Sequence, residues 1–182
     1  MARVIEDSVS ALVAIAEHCV CTTFTDLCEC CGHSGTSLPP ASDCCECEPG
    51  KNGRAYVQVE RIFPTASPFP AQARGAAKCG GNRWAVEIAV TIYRCVETVD
   101  QDGHPDCDET TAEMYRNIQD MATVRRALLC CMKDEVDDNS SFQIAILEQA
   151  PVNPEGGCGG TTTKAVMTAD NNVLNSDILL TL

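Results

Sequence analysis

The chain has 182 residues, the size of a single domain that can bury its own core, and its 26 Asp and Glu against 13 Lys and Arg give a net charge of −13. That charge repels polyphosphate and argues against a module that grips DNA or RNA. Fourteen cysteines exceed what a core of this size needs, so cross-linking or metal binding adds to packing here and does not replace it.

The N-terminus carries charges within its first seven residues and lacks the apolar stretch of a secretory leader, so synthesis and retention in a cytosol are expected. No run approaches the roughly 18 apolar residues of a membrane span, which implies a soluble protein. In residues 4–20, Ile5, Val9, Leu12 and Ala16 recur at three- and four-residue steps, predicting an amphipathic helix. From 21 to 52 the periodicity vanishes into Cys, Gly, Pro, Ser and Asp, an irregular Cys-rich loop that needs cross-links or a metal to be ordered. Residues 54–63 read as a strand with Val57, Val59 and Phe63 on one face, interrupted by Arg61. Pro64, Pro68 and Pro70 with Gly75, Gly80 and Gly81 make 64–82 a connecting loop, long enough for an arm or a hairpin extension.

The clearest period-two signal follows, Val86, Ile88, Val90 and Ile92 alternating with Ala85, Glu87, Ala89 and Thr91, as in a sheet with one covered face. After an acidic turn, Thr110 and Glu113 fit a capping box. Met114, Ile118, Met121, Val124 and Leu128 then predict a helix to about Met132 whose apolar stripe covers the sheet. Residues 134–141 break it. Phe142, Ile144 and Ile146 alternate in a third strand, Pro151 and Pro154 with the following glycines read as a loop, and 161–168 is β-branched enough for a fourth strand. The sum is an α+β fold, a mainly antiparallel four-stranded sheet with two helices packed on it, in a single domain over 1–168 with a C-terminal arm at 169–182.

Eight cysteines fall between Cys19 and Cys47. Cys28, Cys30, Cys31, His33, Cys44, Cys45 and Cys47 are candidate zinc ligands, yet paired cysteines here are separated by one residue or none, where a zinc knuckle takes two or more. Structural disulfides with buried free thiols are the preferred reading, ahead of zinc and of inert reduced cysteines. Adjacent Cys44 and Cys45 are not expected to bond each other. No catalytic constellation stands out. The run from Gly32 to Gly35 lacks the last glycine of a nucleophile elbow, Thr36 standing there. The run from Gly156 to Gly160 lacks the Lys-Ser/Thr of a P-loop and reads as a flexible turn. His18, His33 and His104 are scattered, and nothing selects a nucleophile among fourteen cysteines. A non-enzymatic protein without a cofactor is expected.

Charge is uneven. Residues 100–138 hold eleven carboxylates and four basic groups, while 54–99 hold six basic groups and three carboxylates. Such asymmetry suits head-to-tail subunit contacts, and equally an ordinary solvated surface.

The order of a cysteine cluster, a strand, a Phe-Pro turn at Phe69-Pro70, a second strand ending in Arg94-Cys95, a helix, and Gly156-Gly157-Cys158 before the last strand resembles the tail terminator proteins of long-tailed phages of actinobacteria. The resemblance covers about residues 4–168. It implies a compact α+β structural protein of the virion that caps the phage tail tube and joins it to the neck, in the head–tail connection. It further implies a homohexameric ring closed by heterologous contacts, with the tail tube protein and neck or head-completion proteins as partners. DNA would pass through during ejection without specific binding, and no membrane is involved. The expected location is the virion, after synthesis in the host bacterial cytoplasm, and thiols would oxidise once lysis releases the particle. The acidic runs 100–109 and 134–138 are candidates for a channel lining that repels phosphate. The alternatives are another neck or tail-tube protein of the same virion and a zinc-stabilised interaction module.

Overall fold

The computed structural model describes residues 2–34, 44–73, 83–96, 106–136 and 141–169. The predicted arm beyond Ala169, His104, Cys79 and the 74–82 part of the predicted 64–82 loop lie outside them. In chain order the elements are α1 (Ala2–Thr23), β1 (Glu29–Ser34), β2 (Arg54–Thr65), β3 (Arg83–Cys95), α2 (Cys107–Arg126), a π-helical turn (Ala127–Cys131), α3 (Met132–Glu135), β4 (Gln143–Glu155) and β5 (Cys158–Thr168). The strands form one sheet in the order β1-β2-β3-β5-β4.

The α+β class holds, but the sheet has five strands and is mixed, not four-stranded. The additional strand, β1, lies inside the segment read as irregular loop and runs parallel to β2, Glu29 opposite Arg54 and Ser34 opposite Val59. Its sequence has no apolar alternation because other forces hold it. The β2 backbone supplies a ladder, Cys30 is bonded to Cys21 of α1, and the Gly32 N–H donates to a Glu17 carboxylate oxygen at 2.7 Å. The remaining pairs are antiparallel.

On α1, Val9, Leu12 and Ala16 are buried as their spacing predicts, together with Ile15, Cys19 and Val20. They share one core with Val57, Val86, Ile88, Val90 and Ile92 of the sheet. Burial of such side chains contributes about 1.5–3 kcal/mol each relative to exposure. The outward residues of β3 are buried too, Ala85, Glu87, Ala89 and Thr91 among them. Arg61 pairs with Glu87, and Lys164 with Glu60, across that face.

Phe63 departs from the predicted face. The register of β2 against β3 shifts between Val59 and Arg61, and one extra residue in a strand reverses the facing of all that follow. Phe63 therefore packs with Ala85 and Val166 in a small cluster on the other side of the sheet, apart from Val57 and Val59.

The second helix begins earlier than the predicted capping box. Asp106 is the N-cap, its side chain accepting from the Asp108 and Glu109 amides, while the Thr110 hydroxyl donates to the Asp106 carbonyl oxygen at 2.8 Å. A carboxylate at that position also faces the positive end of the helix dipole. The apolar stripe covers the sheet over half its predicted length only. Val124, Leu128 and Met132 are buried, but Met114 is 48% and Ile118 54% exposed.

β4 runs through Pro151 and Pro154, which were expected in a loop. It lies at the sheet edge, where a residue with no N–H removes no ladder bond from a neighbour. The glycine run divides accordingly. Gly156 and Gly157, with φ of 60° and 82°, make the turn that suits a two-residue hairpin, and Cys158 to Gly160 belong to β5.

Candidate functional site: the disulfide corner and the Arg94 hub

Cys95 ends β3 and Cys158 opens β5, and the two are opposite each other in the ladder. The adjacent pair Cys44-Cys45 lies against them. Cys44 is bonded to Cys158, with Cα atoms 5.9 Å apart, and Cys45 to Cys95, with Cα atoms 4.8 Å apart. Neighbouring cysteines thus grip neighbouring strand ends, as expected of a pair whose geometry opposes a mutual bond. The unbonded Cys44 and Cys45 sulfurs are 3.8 Å apart, and both face the Gly157 carbonyl oxygen, at 3.8 and 3.5 Å. Cys44 and Cys158 are buried and Cys45 is exposed. Three further bridges pin the surroundings: Cys28–Cys47, Cys21–Cys30, and Cys19–Cys131 between α1 and the π turn.

One residue before Cys95, Arg94 points to the opposite side of the sheet, as alternate strand residues do. Its Nε and one terminal nitrogen form a fork on Asp120 of α2, both bonds at 2.9 Å. The other terminal nitrogen donates to Asp26 Oδ2 at 2.6 Å and to the Asn52 carbonyl oxygen at 2.5 Å. Asn52 in turn accepts from the Cys95 amide through its side chain at 3.1 Å and donates its own amide to the Asp26 carbonyl oxygen at 2.8 Å. Burial opposes the guanidinium charge, but hydrogen bonds and attraction from Asp120 and Asp26 outweigh it and raise the pKa. Just before β2, Gly53 has a φ of 100°, and a Cβ there would collide with the Tyr93 carbonyl oxygen. Only glycine lets this loop lie so close to β3.

The predicted zinc ligands are not brought together as one set. Cys28, Cys30, Cys44, Cys45 and Cys47 each take a disulfide partner. Cys31 and His33 sit two apart on β1, with the His33 ring edge-on to Tyr56 at 6.5 Å. The disulfide reading holds, with a correction. The thiols that remain among the described residues, Cys31, Cys107 and Cys130, are half-buried or exposed and not buried. Burial pushes the Cys31 thiol pKa up, the Glu29 and Glu17 carboxylates add to this, and Arg54 opposes it. Cys31 is therefore a poor nucleophile near neutral pH.

Sequence reasoning missed Cys95, Cys131 and Cys158 as bridge partners of the cysteine cluster, and Asp26 and Asp120 as partners of Arg94. Arg94-Cys95 and Gly-Gly-Cys158 were conspicuous only through their place at strand ends. Among the described residues no helix is long and apolar enough to cross a membrane. No family model matches the chain, and no curated protein matches it.

Proposed function

We propose that the protein is a structural component of a phage virion, a tail terminator that caps the tail tube and joins it to the neck as a homohexameric ring through which DNA passes. The observation that carries this reading is the meeting of the resemblance's separate motifs in one place. The cysteine cluster, the Arg94-Cys95 strand end and the Gly-Gly-Cys158 strand start share the disulfide corner. A constellation dispersed over more than a hundred residues of sequence and reunited in space is a structural signature of the whole domain, not of a short motif. Five disulfides among the described residues suit a particle that must persist outside the cell without repair.

The test is native mass spectrometry of the purified protein with and without tail tubes of the phage, alongside electron microscopy of the intact neck. The expected result is a closed six-fold ring, alone or on the tube end, and its density between tube and head. A ring located elsewhere in the particle would favour another neck or tail-tube role. A chain absent from the particle and monomeric with tubes present would end the virion reading.

A further inference from the structure

We propose that the reduced chain binds one soft, filled-shell divalent cation, zinc in a cell, through the four thiolates of Cys44, Cys45, Cys95 and Cys158, and that the two bridges at this corner replace the metal on oxidation. The site differs from the predicted one, because two of its ligands come from strand ends far along the chain.

The geometry carries the argument. The sulfurs of Cys44, Cys45 and Cys158 all lie within 4.8 Å of one another, and the Cys95 sulfur, outside that trio, is bonded to that of Cys45, so a fourth thiolate stands at its edge. Zinc–sulfur bonds of about 2.3 Å arranged tetrahedrally place neighbouring sulfurs about 3.8 Å apart. The Cys44 and Cys45 sulfurs already stand 3.8 Å apart. Opening each bridge from about 2 Å to the same edge moves each sulfur by about 1 Å. Side-chain rotation supplies that while the Cα atoms keep their 5.9 and 4.8 Å separations.

The frame does not depend on the bridges alone. The Val96 amide donates to the Gly157 carbonyl oxygen at 2.9 Å, and Asn52 holds the Cys95 amide. Cys45 is exposed, giving an entry path, while Cys44 and Cys158 are buried and shield the far side. By contrast, successive residues of β1 point to opposite faces: Cys30 reaches α1 through Cys21, so Cys31 cannot join it on a single ion.

The chemistry balances. Four thiols bind one divalent cation and release four protons. Two molecules of a small disulfide such as oxidised glutathione then each accept two electrons. Two protein S–S bonds form, four small thiolates leave and the cation is freed.

The experiment is expression in a reducing cytosol and anaerobic purification, followed by metal analysis and cobalt substitution. About one zinc per chain is expected, with an intense sulfur-to-cobalt charge-transfer band on exchange, and oxidised glutathione should release the metal as the four thiols of this corner are lost to its two bridges, beside the thiols consumed by the bridges elsewhere. Joint Cys95→Ser and Cys158→Ser substitution should abolish binding, while joint Cys28→Ser and Cys47→Ser substitution leaves it. Cys45→His keeps four ligands, so it should retain cobalt with a weakened charge-transfer band, separating lost ligation from lost folding. A reduced chain that carries no metal overturns the proposal. So does equal binding by the Cys95→Ser, Cys158→Ser variant, or loss of binding when only Cys28 and Cys47 are replaced.

Discussion

Arg94 carries a full charge into a site where its side chain is only 6% exposed, and its two carboxylate partners differ sharply: Asp120 is 7% and Asp26 55% exposed. Desolvating an ion costs several kcal/mol, and the cost is offset only where geometry and hydrogen bonding are complete. The fork on Asp120 meets that requirement, whereas Asp26 shares its partner with water. Asp120→Ala should therefore destabilise the fold by about 3–5 kcal/mol, because it strands a buried guanidinium. Asp26→Ala should cost under about 1 kcal/mol, as for a solvent-screened pair. Urea denaturation midpoints measure both, and equally small costs would show that Arg94 is held mainly by its bond to the Asn52 carbonyl oxygen. Alkali is not expected to break the hub in the ordinary working range. A guanidinium with a raised folded-state pKa contributes its stabilisation at every pH below the unfolded value, and loses it only as pH rises through the folded one.

The helix that carries Asp120 has two unlike halves. Beyond Asp120, Val124, Leu128 and Met132 enter the core, and the π turn places Cys131 against Cys19 while Met132 stays buried. Before it, Met114, Tyr115 and Ile118 face outward. Leu128→Ala should cost about 2–5 kcal/mol as a buried large-to-small change, and Ile118→Ala within about 0.5 kcal/mol, as expected of a surface position. Thermal unfolding of the two variants decides it, and comparable losses would mean that Ile118 is covered in solution. The sequence pattern treats these positions as one stripe because periodicity reports which residues share a face, not how far the neighbouring sheet extends. Similar reasons explain what else was legible. α1 could be read because its apolar spacing matches its burial; in β3 the alternation marked the strand and its core face, but the expected exposed face is buried as well. β1 could not, since a parallel partner, a disulfide and Glu17 hold it, and the facing of Phe63 turned on a bulge that leaves no mark in composition. The cysteines announced cross-linking, but eight alone allow on the order of 100 pairings. The observed set is none of these, since Cys19, Cys44 and Cys45 bond to Cys131, Cys158 and Cys95, which only the fold brings near.

At the scale of the whole molecule, the helical run from Cys107 to Glu135 is continuous and spans roughly 40 Å at the α-helical rise. Exposed carboxylates mark both ends: Asp106, Asp108 and Glu109 at its start, Asp134 and Glu135 at its finish. The rest of the predicted acidic runs, 100–105 and 137–138, lies outside the described residues. Charges separated by such a distance act independently, since the Debye length is about 10 Å at 0.1 M salt. In the proposed ring, both ends therefore face DNA only where the rod lies along the channel, and a rod lying across it presents one end. Lining carboxylates would repel phosphate and keep DNA from adhering. Joint Asp108→Lys and Glu109→Lys substitution, which spares the Asp106 cap, and joint Asp134→Lys and Glu135→Lys substitution separate the two ends. Lysine near a helix N-terminus costs about 0.3–1 kcal/mol, too little to unfold a domain braced by disulfides. The expected outcome is that at least one pair slows DNA ejection in low salt, recovers in high salt, and leaves the six-fold ring intact by native mass. Recovery in salt distinguishes adhesion of DNA from a narrowed passage, which salt would not relieve. Normal ejection by both variants with the ring assembled would place these carboxylates on the outer surface and end their role in the channel.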